Sequence, residues 1–321
     1  MASKLFKPLV SITILVGGVG IIYSNRVAIY DWQRLRNYQP DHTIVSLANQ
    51  TTMTPFARRL FYVSYPKVES KDAFNRDCSV VEQTIVLGCY VADNIYIYKV
   101  DDQRLNGVNQ VTAAHEMLHV AYSRLSFSEK KHIDSLLEAA YKNINDPTLT
   151  QTIANYQKTE PGQMDNELHS ILATEYVNLG PELESYYSKY FTNRALIVGY
   201  ANQYQQVFQS IKEQVTADDA KLAALKSQIN QLETNLIAQY ATIQAERDKL
   251  QSQINTLSPS AYNYQVSIFN SSVDSYNYQV GYLRTLIASY NSLVEERNNL
   301  VVQQQGLANS LNSNVTTASS Q

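Results

Sequence analysis

The chain has 321 residues and a formal net charge of −3, long enough for two or three domains around a sizeable core. A slightly acidic balance without a Lys/Arg cluster excludes the basic face that nucleic-acid proteins carry. Its 24 tyrosines beside a single tryptophan suit amphipathic or interfacial surfaces but name no function.

Residues 5–23 read LFKPLVSITILVGGVGIIY, with Lys4 and Lys7 ahead of the apolar centre. The uncharged part begins at Pro8 and is slightly shorter than the about 20 residues of a spanning helix. Tyr23-Ser24-Asn25-Arg26 lacks the small-residue A-x-A pattern of a cleaved signal. The expected element is an uncleaved signal anchor, a transmembrane helix over residues 1–25; a cleaved signal and a buried core helix are the alternatives. Arg26, Arg34 and Arg36 compete with the two lysines under the positive-inside rule, which leaves the orientation open. Cys78 and Cys89 close a short loop and are expected to form a disulfide, the alternative being two unrelated buried thiols. Neither lies in a CxxC or beside a His, which argues against metal binding by this pair. Anchor and cysteines together imply a single-pass protein of the cell membrane with its main part extracytoplasmic.

Residues 30–52 read as a juxtamembrane segment. Thr54-Pro55 opens a short helix, Thr as N-cap and Pro in the first turn. Residues 83–91 and 94–100 are strand-like, the second rich in β-branched and aromatic residues. A polar connection leads to a helix over 111–123. Ser126-x-x-Glu129 forms a capping box that starts another helix through Lys142. Pro147, Pro161-Gly162 and Gly180-Pro181 punctuate further helices, one of them over 165–179.

From about Tyr204 the texture changes. Phe208, Val215, Leu222, Ile229, Leu236, Ile243, Leu250 and Leu257 recur every seven residues, the mark of a coiled coil. Ser258-Pro259-Ser260 interrupts the series. A second follows at Val266, Val273, Val280, Ile287, Val294 and Val301, with Phe269, Tyr276, Leu283 and Tyr290 beside it. Two matched helices around a short turn predict an antiparallel hairpin, able to take a coiled-coil protein partner or to self-associate. The Asn/Ser/Thr-rich end is expected to be disordered.

The chemistry concentrates at His115-Glu116-Met117-Leu118-His119. On a helix, HExxH puts two imidazoles at i and i+4 on one face, where both can bind one metal ion, with Glu116 placed to take a proton from a water. Zinc needs a third protein ligand and an open position. The flanking residues, Thr112-Ala113-Ala114 and Val120-Ala121, are uncharged, so the helix reads as buried. There two His and a Glu would be costly without a partner such as Zn2+. Glu167 and Glu175 compete for the third position. They lie eight residues apart on one predicted helix, about 80° apart around its axis, and Glu175 would alternatively support a liganding His.

Thr112 through Ala121 resembles the extended zincin signature. No H-x-x-G-x-x-H follows His119, so the metzincin pattern is absent. Asn166-Glu167-Leu168-His169-Ser170 is similar to the N-E-x-x-S part of the third-ligand motif of the gluzincins, with Ile171 where that family has an Asp. This resemblance covers residues 83–179 and implies a zinc metallopeptidase. His115, His119 and Glu167 would hold the metal and Glu116 would be the catalytic base, acting on a protein or peptide substrate. It also implies that the strand at 94–100 is a sheet edge along which substrate pairs, the alternative being an ordinary core strand. His169 is weighed as an oxyanion donor or a satisfied buried His, and Arg194 as a carboxylate clamp or a structural ion pair. The expected architecture is α+β: a transmembrane helix at 1–25, a zincin-like catalytic domain at 26–200, a coiled-coil hairpin at 201–308 and a tail at 309–321. The rivals are a membrane-anchored coiled-coil adaptor with a structural or vestigial zinc site, and a metal-dependent cell-wall amidase.

Overall fold

A computed structural model describes residues 25–78, 87–159 and 161–314. They divide into two compact units, one of residues up to Gln206 joined by those from Leu307 onward, the other Val207–Gly306.

The first unit is built from short, well-punctuated helices around one small sheet. α1 (Arg26–Leu35), α2 (His42–Gln50) and α3 (Pro55–Val63) lead into β1 (Lys67–Glu69) and α4 (Lys71–Asp77). Thr54 caps α3 by accepting from the amide of Ala57, and Pro55 occupies its first turn, where the missing N–H costs nothing. β2 (Gly88–Val91) and β3 (Asn94–Tyr98) form an antiparallel hairpin, with β1 parallel to β3 and the order β1-β3-β2. Ala92 and Asp93, both at positive φ (47° and 60°), make the two-residue turn that matches the strand twist. α5 (Val108–Ser123), α6 (Phe127–Lys142), α7 (Pro147–Thr159), α8 (Met164–Glu175) and α9 (Pro181–Tyr187) follow. The capping box at Ser126 and Glu129 is present, each side chain accepting from the other's amide.

α5 is the centre of this unit. It is apolar around most of its circumference, with Ala113, Ala114, Met117, Leu118 and Val120 fully buried, as expected of a helix enclosed on every side. Gly107 begins it at φ 105°, where an added Cβ would lie 2.8 Å from the carbonyl oxygen of Tyr200; that close approach and that backbone conformation both require glycine. Just past its other end, Arg124 grips the buried Asp31 of α1 with two hydrogen bonds of 2.9 Å, and Arg59 adds a third of 3.1 Å. α8 packs along α5 through Leu168 and Leu172.

The expected α+β architecture is corrected by these observations. The described residues are 76% helical with one three-stranded sheet; the run at 94–100 yields five strand residues, and of the run at 83–91, whose first four residues lie outside the described ones, Gly88–Val91 are strand. Among the described residues no helix is long and apolar enough to cross a membrane, so the transmembrane helix of the expected architecture has no counterpart among them; the run read as a signal anchor falls on residues 1–24, outside the described ones. β3 is the central strand, not an edge: β1 and β2 occupy its two sides, and β2 takes the edge position. α8 stops at Glu175 rather than continuing to 179. Asn178 turns left-handed (φ 58°), and the guanidinium of Arg194 binds the carbonyls of Ala173 and Tyr176 at 2.9 and 2.6 Å. Cys78 and Cys89 are disulfide-bonded, their Cα atoms 6.1 Å apart.

Two long helices, α10 (Arg194–Gln253) and α11 (Pro259–Leu311), supply the second unit. They pair antiparallel. Gln239 and Gln279 exchange amide hydrogen bonds of 3.1 and 3.0 Å, Tyr240 meets Tyr276, and Arg297 binds Asp219 at 2.9 Å. Within the second unit the buried positions of α11 are Leu286 and Leu300, each 8% exposed, whereas Ile287 and Val301 of the valine series are 37% and 39% exposed. Ile287 and Val301 thus flank the seam, while Val266, Val273, Val280 and Val294 are half-buried. α11 also extends past the expected start of the disordered tail: residues 309–311 are helical, and Ser313 is buried in the first unit.

Candidate metal centre

α5 presents His115 and His119 one turn apart, their rings 4.7 Å centroid to centroid and nearly perpendicular. α8 brings Glu167 opposite both. Its two oxygens lie 3.4 Å from His115 Nε2 and 3.5 Å from His119 Nε2. Ligand atoms about 2.0–2.1 Å from one tetrahedral zinc would stand roughly 3.3 Å apart, so these three side chains have the spacing of a single ligand set. Glu116 joins the two histidines in a group whose ligand atoms lie within 4.8 Å of one another. Between Glu116 and Glu167 as third ligand, the geometry favours Glu167, which spans both imidazoles.

The protons sharpen this point. Asn166 Oδ1 lies 3.1 Å from His119 Nδ1, and the same amide donates from its nitrogen to Gln163 Oε1 at 3.2 Å. An amide oxygen only accepts, so His119 carries its hydrogen on Nδ1 and turns the lone pair of Nε2 toward Glu167. Burial pushes the His119 pKa down to about 4, the neighbouring His115 adding to the effect and Glu167 opposing it. Burial also works against a charged His115, but the hydrogen bond and charge of Glu167 outweigh it and raise this pKa to about 9. Glu167 is itself penalised by burial; His115, the charge of His119 and a hydrogen bond from Tyr156 more than offset that and hold its pKa below the usual carboxylate range. One lone pair and one carboxylate oxygen thus face each other across 3.5 Å. A divalent cation fits between such acceptors.

Glu116 is buried and stands against the sheet edge. A Cβ built on Gly88 would fall 2.6 Å from Glu116 Oε1 and 2.6 Å from Thr112 Cγ2, so only glycine lets β2 come this close to the carboxylate. A cleft of about 550 Å³ opens over these groups, lined by residues 87–91, by α5, by Tyr156, Asn166 and Glu167, and by Glu175 and Tyr204. Glu175 does not face the imidazoles in this way. Its Oε2 accepts from Gln205 Nε2 at 2.9 Å.

His169 is fully buried, 3.0 Å from the Tyr186 hydroxyl and packed against Tyr122 and Tyr187. It does not line the cleft, and burial pushes its pKa down to about 3. Arg194 is spent on Glu184 and the last carbonyls of α8 and clamps no substrate. Gly88, Tyr156 and Tyr204 line the cleft and Gln205 holds Glu175, four neighbours that the motifs do not point to. Each lies outside the two motifs in sequence, and only the glycine in an otherwise apolar strand hinted at a close backbone approach.

Comparison with known proteins finds no matching family model, no matching curated protein and no matching solved structure. The chemistry of the centre therefore rests on its own geometry and on the two short motifs.

Proposed function

We propose that this protein is a zinc-dependent peptidase that hydrolyses peptide bonds in extended substrates. The observation that carries the reading is the pair of facing acceptors, His119 Nε2 and Glu167 Oε1, completed by His115. Zinc bound by such a set lowers the pKa of a water from 15.7 to about 7 and acts as a Lewis acid toward a carbonyl. His115, His119 and Glu167 would hold the ion, and Asn166 would fix the His119 ring so that Nε2 stays available. Glu116 takes the proton of the attacking water and returns it to the leaving amine. β2 brings an edge-strand backbone to the wall of the cleft, a surface along which an extended peptide pairs by strand addition. The Cys78–Cys89 disulfide supports a working compartment that is oxidising.

A structural or vestigial zinc site would not need Glu116 over the cleft, which separates the adaptor reading from the enzyme. The test is digestion of a peptide library by the purified full-length, zinc-loaded protein. Cleavage lost on chelation and restored by zinc is expected. A zinc-replete protein that cleaves no peptide contradicts the proposal.

A further inference from the structure

The cleft has a one-sided charge. Glu116, Glu167 and Glu175 all line it, and among the described residues no lysine or arginine does. Arg194, the cation that reaches the end of α8, is turned into the carbonyls there and to Glu184. A bound divalent ion would balance the pair Glu116 and Glu167. Glu175 would remain, a largely enclosed carboxyl that accepts a hydrogen bond from the neutral amide of Gln205. Burial pushes its proton affinity up and Asp146 adds to that, beyond what His115 and Gln205 offset. An ionised carboxylate in such a place is expensive until a cation joins it.

We propose that Glu175 is a specificity-determining residue that selects substrates carrying a positive group, a Lys or Arg side chain or a free amino terminus, near the scissile bond. This inference rests on the peptidase reading above and names the substrate class for it. Glu167 and Glu175 are eight residues apart on α8, about 12 Å along the helix axis. That distance matches about three to four residues of extended peptide. The selected charge therefore lies within about four residues of the bond that is cut. Gln205 holds one carboxylate oxygen, leaving the other as acceptor for the substrate cation. The absence of a cation in the lining also disfavours recognition of a substrate's terminal carboxylate, which needs an Arg or Lys.

The experiment uses full-length, zinc-loaded protein and a set of otherwise identical fluorogenic peptides. Each carries Lys, Gln or Glu at one position within four residues of the cleavage point. At one position kcat/KM for the Lys peptide should exceed that for the Gln peptide by about 10- to 100-fold, with the Glu peptide lower still. Glu175→Gln should bring the Lys-to-Gln ratio close to one while the Gln peptide is cut at near its former rate. As a second readout, binding of the Lys peptide to the Glu116→Gln protein should weaken by a similar factor when Glu175→Gln is added. Cleavage by the wild type without a charge preference, or a preference that survives Glu175→Gln, overturns this inference alone. Failure to cleave any peptide overturns the peptidase reading as well.

Discussion

The metal centre and the paired helices of the second unit use buried polarity in opposite ways. In the first unit, charge is concentrated: two imidazoles and Glu116, Glu167 and Glu175 share one cleft, and the apolar enclosure of α5 makes each of them costly unless a cation is present. In the hairpin, buried polarity is sparse and serves register. Gln239 and Gln279 satisfy one another across the seam, and the buried Asp218 is paired with Lys221 at 3.0 Å. The difference teaches that polar groups buried against each other specify a fold, whereas acceptors buried facing each other call for a ligand.

The largest expected effect breaks the catalytic side of that contrast. Glu116→Gln keeps the shape of the carboxylate and removes the base, so activity should fall by about 10²- to 10⁴-fold with zinc content unchanged by elemental analysis; retained turnover would sink the mechanism. Gly88→Ala should cost about 10²-fold in kcat, because the new methyl would overlap Glu116 Oε1 and a misplacement of about 1 Å is enough for that loss. Its zinc content should stay at the wild-type level, and a fully active Gly88→Ala protein would show that the carboxylate does not depend on this contact.

Proton uptake sharpens the electrostatic side. The folded pKa of His115 is raised to about 9, so at pH 7 the metal-free site holds a proton that a metal ion must displace. His119, lowered to about 4, holds none. Zinc binding at pH 7 should release about one proton per site, and affinity should climb with pH until it levels off above about 9. Titration calorimetry in buffers of different ionisation enthalpy measures the count; zero protons released would refute the assignment. By the same sign, the His115–Glu167 pair stabilises the metal-free protein fully below about pH 6.5 and loses that contribution as pH rises through 9.

The smallest effect belongs to the hairpin. Leu300→Ala should destabilise it by about 2–5 kcal/mol, whereas the neighbouring Val301→Ala, half in water, should cost under about 1 kcal/mol. Urea unfolding of the two variants, followed by circular dichroism, decides between the buried leucine seam and the valine series; equal costs would restore the valines.

How much was legible follows the same divide. The HExxH and N-E-x-x-S residues could be picked out because few residue types ligate a metal and their spacing on a helix is fixed. The structure brings His115, His119 and Glu167 together as those motifs implied. Glu175 could not be placed from sequence, since its partner Gln205 lies 30 residues away on another helix. The β-branched and aromatic run at 94–100 fits a pleated surface, but strand ends at Tyr98 because propensity does not say how far a strand finds partners. For the same reason the sequence leaves β3 open between edge and core, and β1, a three-residue segment with little signal, makes it central. In α11 the valines and the buried leucines share the period of seven, and period alone cannot tell a seam from its flank.

Metal binding by the full-length protein tests the central claim most directly. Zinc content after dialysis against a mild chelator should be near one per chain in the wild type. It should fall close to zero in Glu167→Ala and stay near one in Glu175→Ala, whose carboxylate is held by Gln205 rather than by an imidazole. Zinc retained by Glu167→Ala and lost by Glu175→Ala would contradict the assignment, and no zinc in the wild type would remove the metal centre altogether.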